Sequence, residues 1–423
     1  MIKTLKKKLI SQKDKDVLRE LARKVAGFSV DPANEQKADM WRRLNSLQRV
    51  RSLVHWHMEE FCWPEVLGEN VFKVDNPELK KYEVYLRRAI WLAENIRDDT
   101  VFAAEIPYET VIEDSGNGLQ IVQDKQGKQH GGSVTWVKQL EKEEDVEKIH
   151  NPVIRVDQEA TDRNAAICHE IFDQILQPVT KKRNGWEFPA INLVDDLVIY
   201  RGMQQLYIDM IDRRQWIHAV LEKLLGAKIS RLEQYERLNL LGLNNSYNEV
   251  GTSALGYTDE LPATDFDGIH VRAKDLWGFS CAQSLISVGK DMHDEFAVSY
   301  ERRYLGRFGL NVIACCEPVD KKMDIISTIP KLRLISISEW NDRETASKLL
   351  GKDYVFAYKP TGVYFAENSW DIEAARADME DLFKKTRNNV LEVHHNACST
   401  CRNQPQRIID WVDMTMELAT EYA

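Results

Sequence analysis

Short apolar runs that are typical of β-strands recur along this chain of 423 residues, and most are separated by segments with apolar residues at helical spacing. Alternation of strands and helices is typical of a parallel sheet, because parallel strands need a crossover connection. About eight repeats of this unit predict a TIM (β/α)₈ barrel, in which the sheet closes on itself. The eight candidate strands are Ser52–Trp56, Thr100–Ile106, Asn192–Tyr200, Ile269–Asp275, Leu310–Cys316, Arg333–Ser338, Asp353–Lys359 and Val390–His394.

The N-terminal region and two long segments do not follow the repeat. Residues 1–47 carry narrow apolar helical faces, which predict a helical cap, and residues 48–423 are predicted to form the barrel. Residues 107–160 read as a β-rich excursion after the second strand. Residues 242–268 read as a long loop that covers the substrate, because loops of this length in a compact domain are usually functional or disordered.

Composition excludes several classes of protein. The net charge of −10, from 67 acidic and 57 basic side chains, disfavours a nucleic-acid-binding protein. No run of about 18 apolar residues is present, so no membrane span is expected. The first ten residues lack the apolar core of a secretory signal. Seven cysteines, an odd number, then indicate reduced thiols and a cytoplasmic location.

Candidate metal ligands follow two of the predicted strands. Cys315-Cys316-Glu317-Pro318 ends the fifth strand, and a His-His-Asn-Ala-Cys-Ser-Thr-Cys segment from His394 to Cys401 ends the eighth. In a closed barrel both ends lie on one rim, so these ligands would converge. Adjacent side chains of a strand point to opposite faces, and we favour Cys316 as the one facing the barrel mouth. A structural site of four thiolates, which would add Cys315 and Cys401, remains an alternative to a catalytic site with about three protein ligands.

Acidic residues at the C-terminal ends of barrel strands usually belong to a site. Glu105 and Asp275 are therefore predicted to open into one pocket, although either could instead pair with an arginine. His55 and His57 share one face of the first strand, and His57 is a candidate acid/base group. The candidate substrate-binding residues, which could also be simple packing or structural residues, are His55, Trp277 and Tyr257.

Several segments resemble the uroporphyrinogen decarboxylase superfamily from about residue 48 onward. Asp99-Thr100-Val101-Phe102-Ala103-Ala104-Glu105-Ile106 is similar to its second strand, and Lys274-Asp275-Leu276-Trp277-Gly278 to its fourth-strand element. Val288–Tyr300 resembles the helix that follows. Cys315-Cys316-Glu317-Pro318 resembles a motif of decarboxylase-like members of the superfamily.

The resemblance implies one of two chemistries. True decarboxylases hold acidic porphyrin side chains with arginines after the first strand, whereas this chain has Val54-His55-Trp56-His57-Met58-Glu59-Glu60 there, which has the wrong charge. The other branch comprises zinc methyltransferases that work with corrinoid proteins and bind zinc through His-x-Cys after the fifth strand and Cys after the eighth. That pattern implies Cys316 and Cys398 as ligands. Ala314 replaces the histidine, and Glu317 could substitute for it, with His394, His395 and Cys401 as alternatives to Cys398.

The expected function is therefore zinc-dependent transfer of a methyl group between a small methylated substrate (a methyl ether, amine or thiol) and a corrinoid protein. The corrinoid protein would dock over the barrel mouth, and a homodimer is allowed for. Two alternatives stay open at this point. One is a metal-free lyase in which Asp275 and His57 are acid/base groups, and the other is a non-catalytic barrel with a structural metal.

Overall fold

The structure is a computed structural model that describes residues 10–123, 135–181 and 190–423. The basic run Lys6–Lys8, the start of the predicted cap and part of the predicted β-rich excursion lie outside these residues. Within them the chain is a mixed α/β protein. Its strands are β1 (Leu53–Trp56), β2 (Glu105–Glu109), β3 (Ile112–Asp114), β4 (Ile154–Val156), β5 (Gln177–Lys181), β6 (Ala190–Ile191), β7 (Trp277–Ser280), β8 (Leu310–Ile313), β9 (Leu332–Ser338), β10 (Val355–Lys359) and β11 (Val390–His395).

Helices precede the first strand, separate most of the others and end the chain. A π-helical turn, Asp294–Val298, connects two of them. The α-helices are α1 (Gln12–Ser29), α2 (Ala33–Asn45), α3 (Trp63–Val66), α4 (Lys80–Asn95), α5 (Gln158–Phe172), α6 (Leu193–Arg201), α7 (Met203–Asp212), α8 (Arg214–Arg237), α9 (Lys290–His293), α10 (Ser299–Leu305), α11 (Met323–Ile326), α12 (Arg343–Leu350), α13 (Val363–Ala366), α14 (Ile372–Lys385) and α15 (Gln406–Glu421). No helix in the described ranges has both the length and the apolar character that crossing a bilayer requires.

The main sheet is parallel and has seven strands in the order β1-β11-β10-β9-β8-β7-β6. The first and last strands of the chain are therefore neighbours at one side of it. β2 pairs with β5 in a separate parallel pair, and β3 pairs with β4 in an antiparallel pair. The predicted parallel sheet is confirmed, whereas no closed barrel is found in the part of the chain that the structure describes.

Two carboxylates, just before the predicted second barrel strand Thr100–Ile106, lie beside β1. Asp98 accepts a hydrogen bond from the backbone N–H of Trp56 at 2.7 Å, and Asp99 accepts one from that of Val54 at 2.8 Å. The backbone N–H of Asp99 donates to the carbonyl oxygen of Val54 at 2.9 Å. Side chains thus satisfy much of this edge of β1, and a regular strand begins only at Glu105, in β2.

Two other strand predictions are wrong. Residues Asn192–Tyr200 form helix α6 after the short strand β6, because their apolar run suits a buried helix as well as a buried strand. The predicted fourth strand, Ile269–Asp275, ends in a 3₁₀ turn at Ala273–Asp275, and the strand follows it as β7. The carboxylate of Asp275 accepts from the backbone N–H of Arg272 at 2.9 Å, which stabilises the turn in place of a strand.

The two faces of the main sheet are buried in different cores. Alternate residues such as Leu53, Val312 and Val390 form an inner cluster, to which α2 contributes Trp41 and Leu44. The intervening residues pack under the surrounding helices in the largest core of the molecule. A third cluster joins α1 to α4 and α5. The division of the chain at residue 47 stays a prediction.

Candidate metal centre

Two histidines meet at the C-terminal ends of neighbouring strands. β1 and β11 are in register, with His55 opposite His394 and Trp56 opposite His395. His55 and His394 have the same parity as Leu53 and Val390, so they point to the inner face of the sheet. Their rings stack with centroids 5.0 Å apart, and their Nδ1 atoms are 3.0 Å apart. His395 points to the other face and stacks on Trp56, so it cannot share this site.

Glu249 brings a carboxylate to the two rings. Its Oε1 is 3.7 Å from Nδ1 of His55 and 2.9 Å from Nδ1 of His57. One ligand atom from each of His55, Glu249 and His394 lies within 4.8 Å of the others. Two strands and one loop therefore place two nitrogen ligands and one oxygen ligand around a single point.

The loop that carries Glu249 packs against the inner face of the main sheet. We call residues 244–257 the covering loop. Its Val250 and Ala254 belong to the inner cluster. The side chain of Asn244 accepts from the backbone N–H of Trp277 at 3.0 Å and donates to its carbonyl at 3.1 Å. The backbone N–H of Ala254 donates to Glu392 at 3.0 Å. These contacts at both ends of the covering loop fix the position of Glu249.

The surroundings of the site keep the His394 ring neutral and the Glu249 carboxylate charged. Burial, with a contribution from the positive charge of Lys359, lowers the pKa of His394 well below its usual value. A neutral imidazole is the form that binds metals. Burial is the largest single effect on Glu249 and would raise its pKa, but the hydrogen bond to His57 and the charges of His57, His55 and Lys359 together outweigh it, and the pKa is lowered. For His57, burial is likewise outweighed by Glu249, and the pKa is raised.

Lys359, the last residue of β10, is an unpaired amine next to this group. Its side chain points to the inner face and is only 4% exposed. Among the described residues, its Nζ has no hydrogen-bond partner. Burial lowers its pKa, although the nearby Cys315, Glu392, Cys316 and Glu249 act in the opposite direction. A buried amine without a partner is costly, so this position favours an anionic group of a ligand.

The predicted ligands Cys316, Glu317 and Cys398 are not brought to one point. β8 ends at Ile313, and Ala314 has a left-handed backbone with φ of 72°, so the rule of alternating faces no longer applies at Cys316, which is exposed. The Glu317 carboxylate accepts backbone N–H bonds from Ala282 at 3.0 Å and Cys315 at 2.9 Å. Cys398 is buried with its Sγ 3.7 Å from Sγ of Cys62. We correct the predicted ligand set accordingly.

Of the two predicted acidic residues, Glu105 is in contact with the covering loop. It accepts a hydrogen bond from the hydroxyl of Tyr247, two residues before Glu249. Asp275 is buried at the N-terminal end of β7 and is paired with Arg272 at 2.8 Å. It therefore cannot open with Glu105 into one pocket at the C-terminal rim, and this prediction is corrected.

The predicted substrate-binding aromatic residues pack in the protein. Trp277, at the start of β7, is 1% exposed and donates from Nε1 to the carbonyl of Gly256 at 2.9 Å. Tyr257 lies under the guanidinium of Arg42, 5.5 Å from its ring centre. Neither position is at the C-terminal ends of the strands, where His55 lies.

A cleft of about 570 Å³ opens at the ends of β6, β7 and β8. This volume is in the range of small-molecule sites. The cleft reaches Thr252 of the covering loop, whose hydroxyl donates to the carbonyl of Ala314 at 3.0 Å. Its polar and apolar lining includes Asn192, Asp195, Thr252, Phe279, Cys281 and Cys315.

Sequence reasoning missed Glu249 and Lys359. The covering loop stands out in the sequence by its length and its Asn and Tyr content, but its one inward-facing carboxylate does not. Lys359 ends an apolar strand, which is the same signal that singled out other residues at strand ends, and it could have been found in that way.

Comparisons with known proteins show a likeness in structure. No family model matches the chain, and no curated protein matches it. A methyltransferase from Methanosarcina mazei is similar in structure, with a TM-score of 0.50 and 10% sequence identity. The match covers 91% of this chain and 98% of that one. At this identity the likeness shows a shared fold, and the resemblance to the uroporphyrinogen decarboxylase superfamily stays a prediction.

Proposed function

We propose that this chain is a metal-dependent methyltransferase with a zinc site formed by His55, Glu249 and His394. The observation that carries the proposal is the convergence of these three ligands at the C-terminal end of a parallel sheet. Two histidines and one glutamate are a donor set of catalytic zinc sites, in which a fourth position stays open for substrate. The shared fold with a methyltransferase supports the choice of reaction.

The residues present suit a zinc ion without a large rearrangement. Zinc–nitrogen bonds of about 2.0–2.1 Å in tetrahedral geometry place two nitrogen ligands about 3.3 Å apart, and the Nδ1 atoms of His55 and His394 are 3.0 Å apart. Zinc bound there would supply a Lewis acid for the heteroatom that carries or accepts the methyl group. Glu249 supplies the negative charge that a dication needs.

The surrounding residues position the ligands and the substrate. His57 is hydrogen-bonded to Glu249 at 2.9 Å and so orients this ligand from behind. The covering loop shields the inner face from water. Lys359 offers an ammonium group to an anionic substrate or to a developing thiolate or alkoxide. The cleft at the ends of β6, β7 and β8, which Thr252 of the covering loop lines, gives room for a small methylated substrate.

The partner in this proposal is a corrinoid protein that exchanges the methyl group with a methyl ether, amine or thiol. It follows from the sequence resemblance and from the methyl-transfer reaction. We also propose that the sheet is a (β/α)₈ arrangement in which residues 98–104 take the place of the second strand. The adjacency of β1 and β11 supports it, because a barrel brings its first and last strands together.

The test combines metal analysis with methyl transfer. Zinc per chain would be measured after purification without chelators, and transfer from methylcobalamin to a small thiol would be followed. His394→Ala and Glu249→Ala each remove a ligand, so we expect loss of one equivalent of zinc and a fall in transfer of about 100-fold or more. His270→Ala is the control, because His270 is exposed and bonded only locally to Asp267.

Two results would overturn the proposal. One is full zinc content in His394→Ala. The other is methyl transfer that continues unchanged after zinc has been removed by a chelator. Folding of each variant would be checked by circular dichroism.

A metal-free lyase is the second candidate, and a specific observation favours it. His57 and Glu249 form a paired acid/base group at 2.9 Å, and the unpaired Lys359 could stabilise the negative charge left by loss of a carboxylate. Asp275 has no part in this version, because it lies at the other end of the sheet. Release of carbon dioxide from a small carboxylic acid by the zinc-free protein would favour this candidate.

A further inference from the structure

A second group of metal-ligating side chains lies on the outer side of β1 and β11. Cys62 comes just before α3, and Cys398 and Cys401 lie in the loop after β11. All three thiols are 0% exposed and unoxidised. They belong to the largest core, which packs under the surrounding helices, whereas His55 and His394 point to the inner face of the sheet. The two groups are therefore on opposite sides of the same pair of strands.

We propose that Cys62, Cys398 and Cys401, together with Glu65, form a structural zinc site. The Sγ atoms of Cys62 and Cys398 are 3.7 Å apart. Ligand atoms of Cys62, Glu65 and Cys401 all lie within 4.8 Å of one another. Zinc–sulfur bonds of about 2.3 Å in tetrahedral geometry place two sulfurs about 3.8 Å apart. The observed spacing is thus already that of two thiolates on one zinc ion.

Glu65 fixes the loop that supplies two of the thiols. Its Oε1 accepts from the hydroxyl of Thr400 at 2.6 Å, and its Oε2 accepts from the backbone N–H groups of Cys401 at 2.8 Å and Asn403 at 3.0 Å. These bonds hold the Cys398–Cys401 loop against Cys62 before any ion arrives. Oε1 accepts only one of these bonds and retains a lone pair for a metal, so Glu65 can supply the fourth ligand through this oxygen.

The donor set selects the ion. Three sulfurs with one oxygen suit a thiophilic, tetrahedral cation and exclude magnesium and calcium, which require oxygen ligands. A closed set of four protein ligands, buried among apolar residues, has no open position for a substrate, which is the property of a structural site. Zinc there would tie the segment after β1 to the loop after β11, and so would hold His55 and His394 in register.

Cobalt(II) substitution of the whole protein tests this proposal. Thiolates bound to cobalt give an intense near-ultraviolet charge-transfer band, which histidine and carboxylate ligands do not give. We expect the band in the natural chain and its loss, with one equivalent of metal, in Cys62→Ser and Cys401→Ser. Cys168→Ser is the matched control, because Cys168 is equally buried but lies in α5, with its Sγ 3.9 Å from the carbonyl oxygen of Ile106 in β2. Cys316→Ser is a second control, because the thiol of Cys316 is exposed and lies 3.7 Å from that of Cys315.

The readout separates this site from the proposed catalytic one, because His55→Ala should keep the thiolate band whether or not the catalytic proposal holds. Absence of the band in the natural chain, or its loss in Cys316→Ser with retention in Cys62→Ser, would overturn the proposal. A disulfide between Cys62 and Cys398 in freshly purified protein would also overturn it.

A measurement on the natural chain covers the case in which Cys62→Ser does not fold. Native protein would be alkylated with and without a zinc chelator, and modified cysteines would be located by peptide mass spectrometry. We expect Cys62, Cys398 and Cys401 to gain reactivity together on chelation, while Cys168 stays protected. Equal reactivity of the three thiols under both conditions would contradict the site.

Discussion

Glu301, in α10, carries a carboxyl group that is almost completely removed from water. The residue is 3% exposed, and one of its carboxyl oxygens has no hydrogen-bond partner among the described residues. Burial, together with the negative charges of Glu317 and Asp195, raises its pKa from 4.5 to about 8. The folded protein therefore holds a proton at neutral pH that the unfolded chain has released.

We predict that Glu301→Gln makes the free energy of unfolding less dependent on pH, because it removes the buried carboxyl group whose ionisation destabilises the folded protein as pH rises. The stability associated with the raised pKa is fully present below pH 4.5 and is lost as pH rises to about 8, by about 1.4 kcal/mol for each pH unit in between. The free energy of unfolding in urea, measured at intervals from pH 5 to 8, should fall less steeply in the variant than in the natural protein. Glu233→Gln, at an exposed glutamate paired with Arg307, is the control. Parallel curves for Glu301→Gln and the natural protein would contradict the prediction.

At the scale of one element, β1 shows how side chains can take the place of a neighbouring strand. Asp99 is 0% exposed, accepts from the backbone of Val54 and pairs with Arg51, 2.8 Å from its Nη1. A strand edge with unpaired N–H groups would otherwise be buried, which is costly. The carboxylate and its arginine thus belong to the hydrogen bonding of the sheet.

We expect Asp99→Ala to destabilise the protein by about 3–5 kcal/mol, because it leaves a half-buried guanidinium and a buried N–H without their acceptor. Asp99→Asn keeps one acceptor oxygen and should cost less. Asp75→Ala removes an exposed carboxylate paired with Lys13, and should leave the stability nearly unchanged, because exposed ion pairs contribute little. Chemical denaturation measures all three. A change in Asp99→Ala no larger than that in Asp75→Ala would refute the role given to Asp99.

At the scale of the whole molecule, α2 closes the inner core from the N-terminal side. Trp41 and Leu44 are fully buried there, and Nε1 of Trp41 donates to the carbonyl of Asp99 at 2.9 Å. The side chain of Asn45 donates to the carbonyls of Leu255 and Tyr257, both at 2.9 Å. The helix thereby holds the C-terminal end of the covering loop, which is the loop that carries Glu249.

A chain that begins at residue 48 should therefore fail to unfold cooperatively, whereas the full chain should unfold in a single transition. Loss of α2 exposes the inner core, and Trp41→Ala alone should cost about 3–5 kcal/mol. Near-ultraviolet circular dichroism during thermal unfolding compares the shortened chain with the full chain. A midpoint for the shorter chain equal to that of the full chain would show that the N-terminal helices are dispensable.

Sequence patterns predicted best the elements that are buried on both faces. β8 to β11 are apolar runs inside a parallel sheet, and such runs are visible without knowledge of their neighbours. The prediction of a strand at Asn192–Tyr200 was wrong because its apolar run does not distinguish a buried helix from a buried strand. The predicted position of Asp275 at the end of a strand was wrong. In the sequence, a carboxylate that precedes one strand looks the same as a carboxylate that ends the strand before it.

The candidate site was predictable only in part. His55 and His57 were picked out as residues of the first strand, and His394 was named as an alternative ligand, because polar residues at strand ends are conspicuous. Glu249 could not be found, since its place depends on how the covering loop enters the sheet. The direction of the Cys398 thiol, toward Cys62, likewise depends on the fold of the loop after β11.

The pairing of β1 with β11 has a consequence for the order of events during synthesis. His394 follows His55 by 339 residues, and Cys398 follows Cys62 by 336. At about 5–20 residues per second, β1 waits roughly 20–70 s on the ribosome for its partner strand. Neither proposed set of ligands is complete in a nascent chain until β11 and the loop after it have been made, so neither proposed site could bind a metal before that point. A chain that terminated before His394 would lack a ligand of each proposed site, so metal occupancy would report synthesis beyond β11.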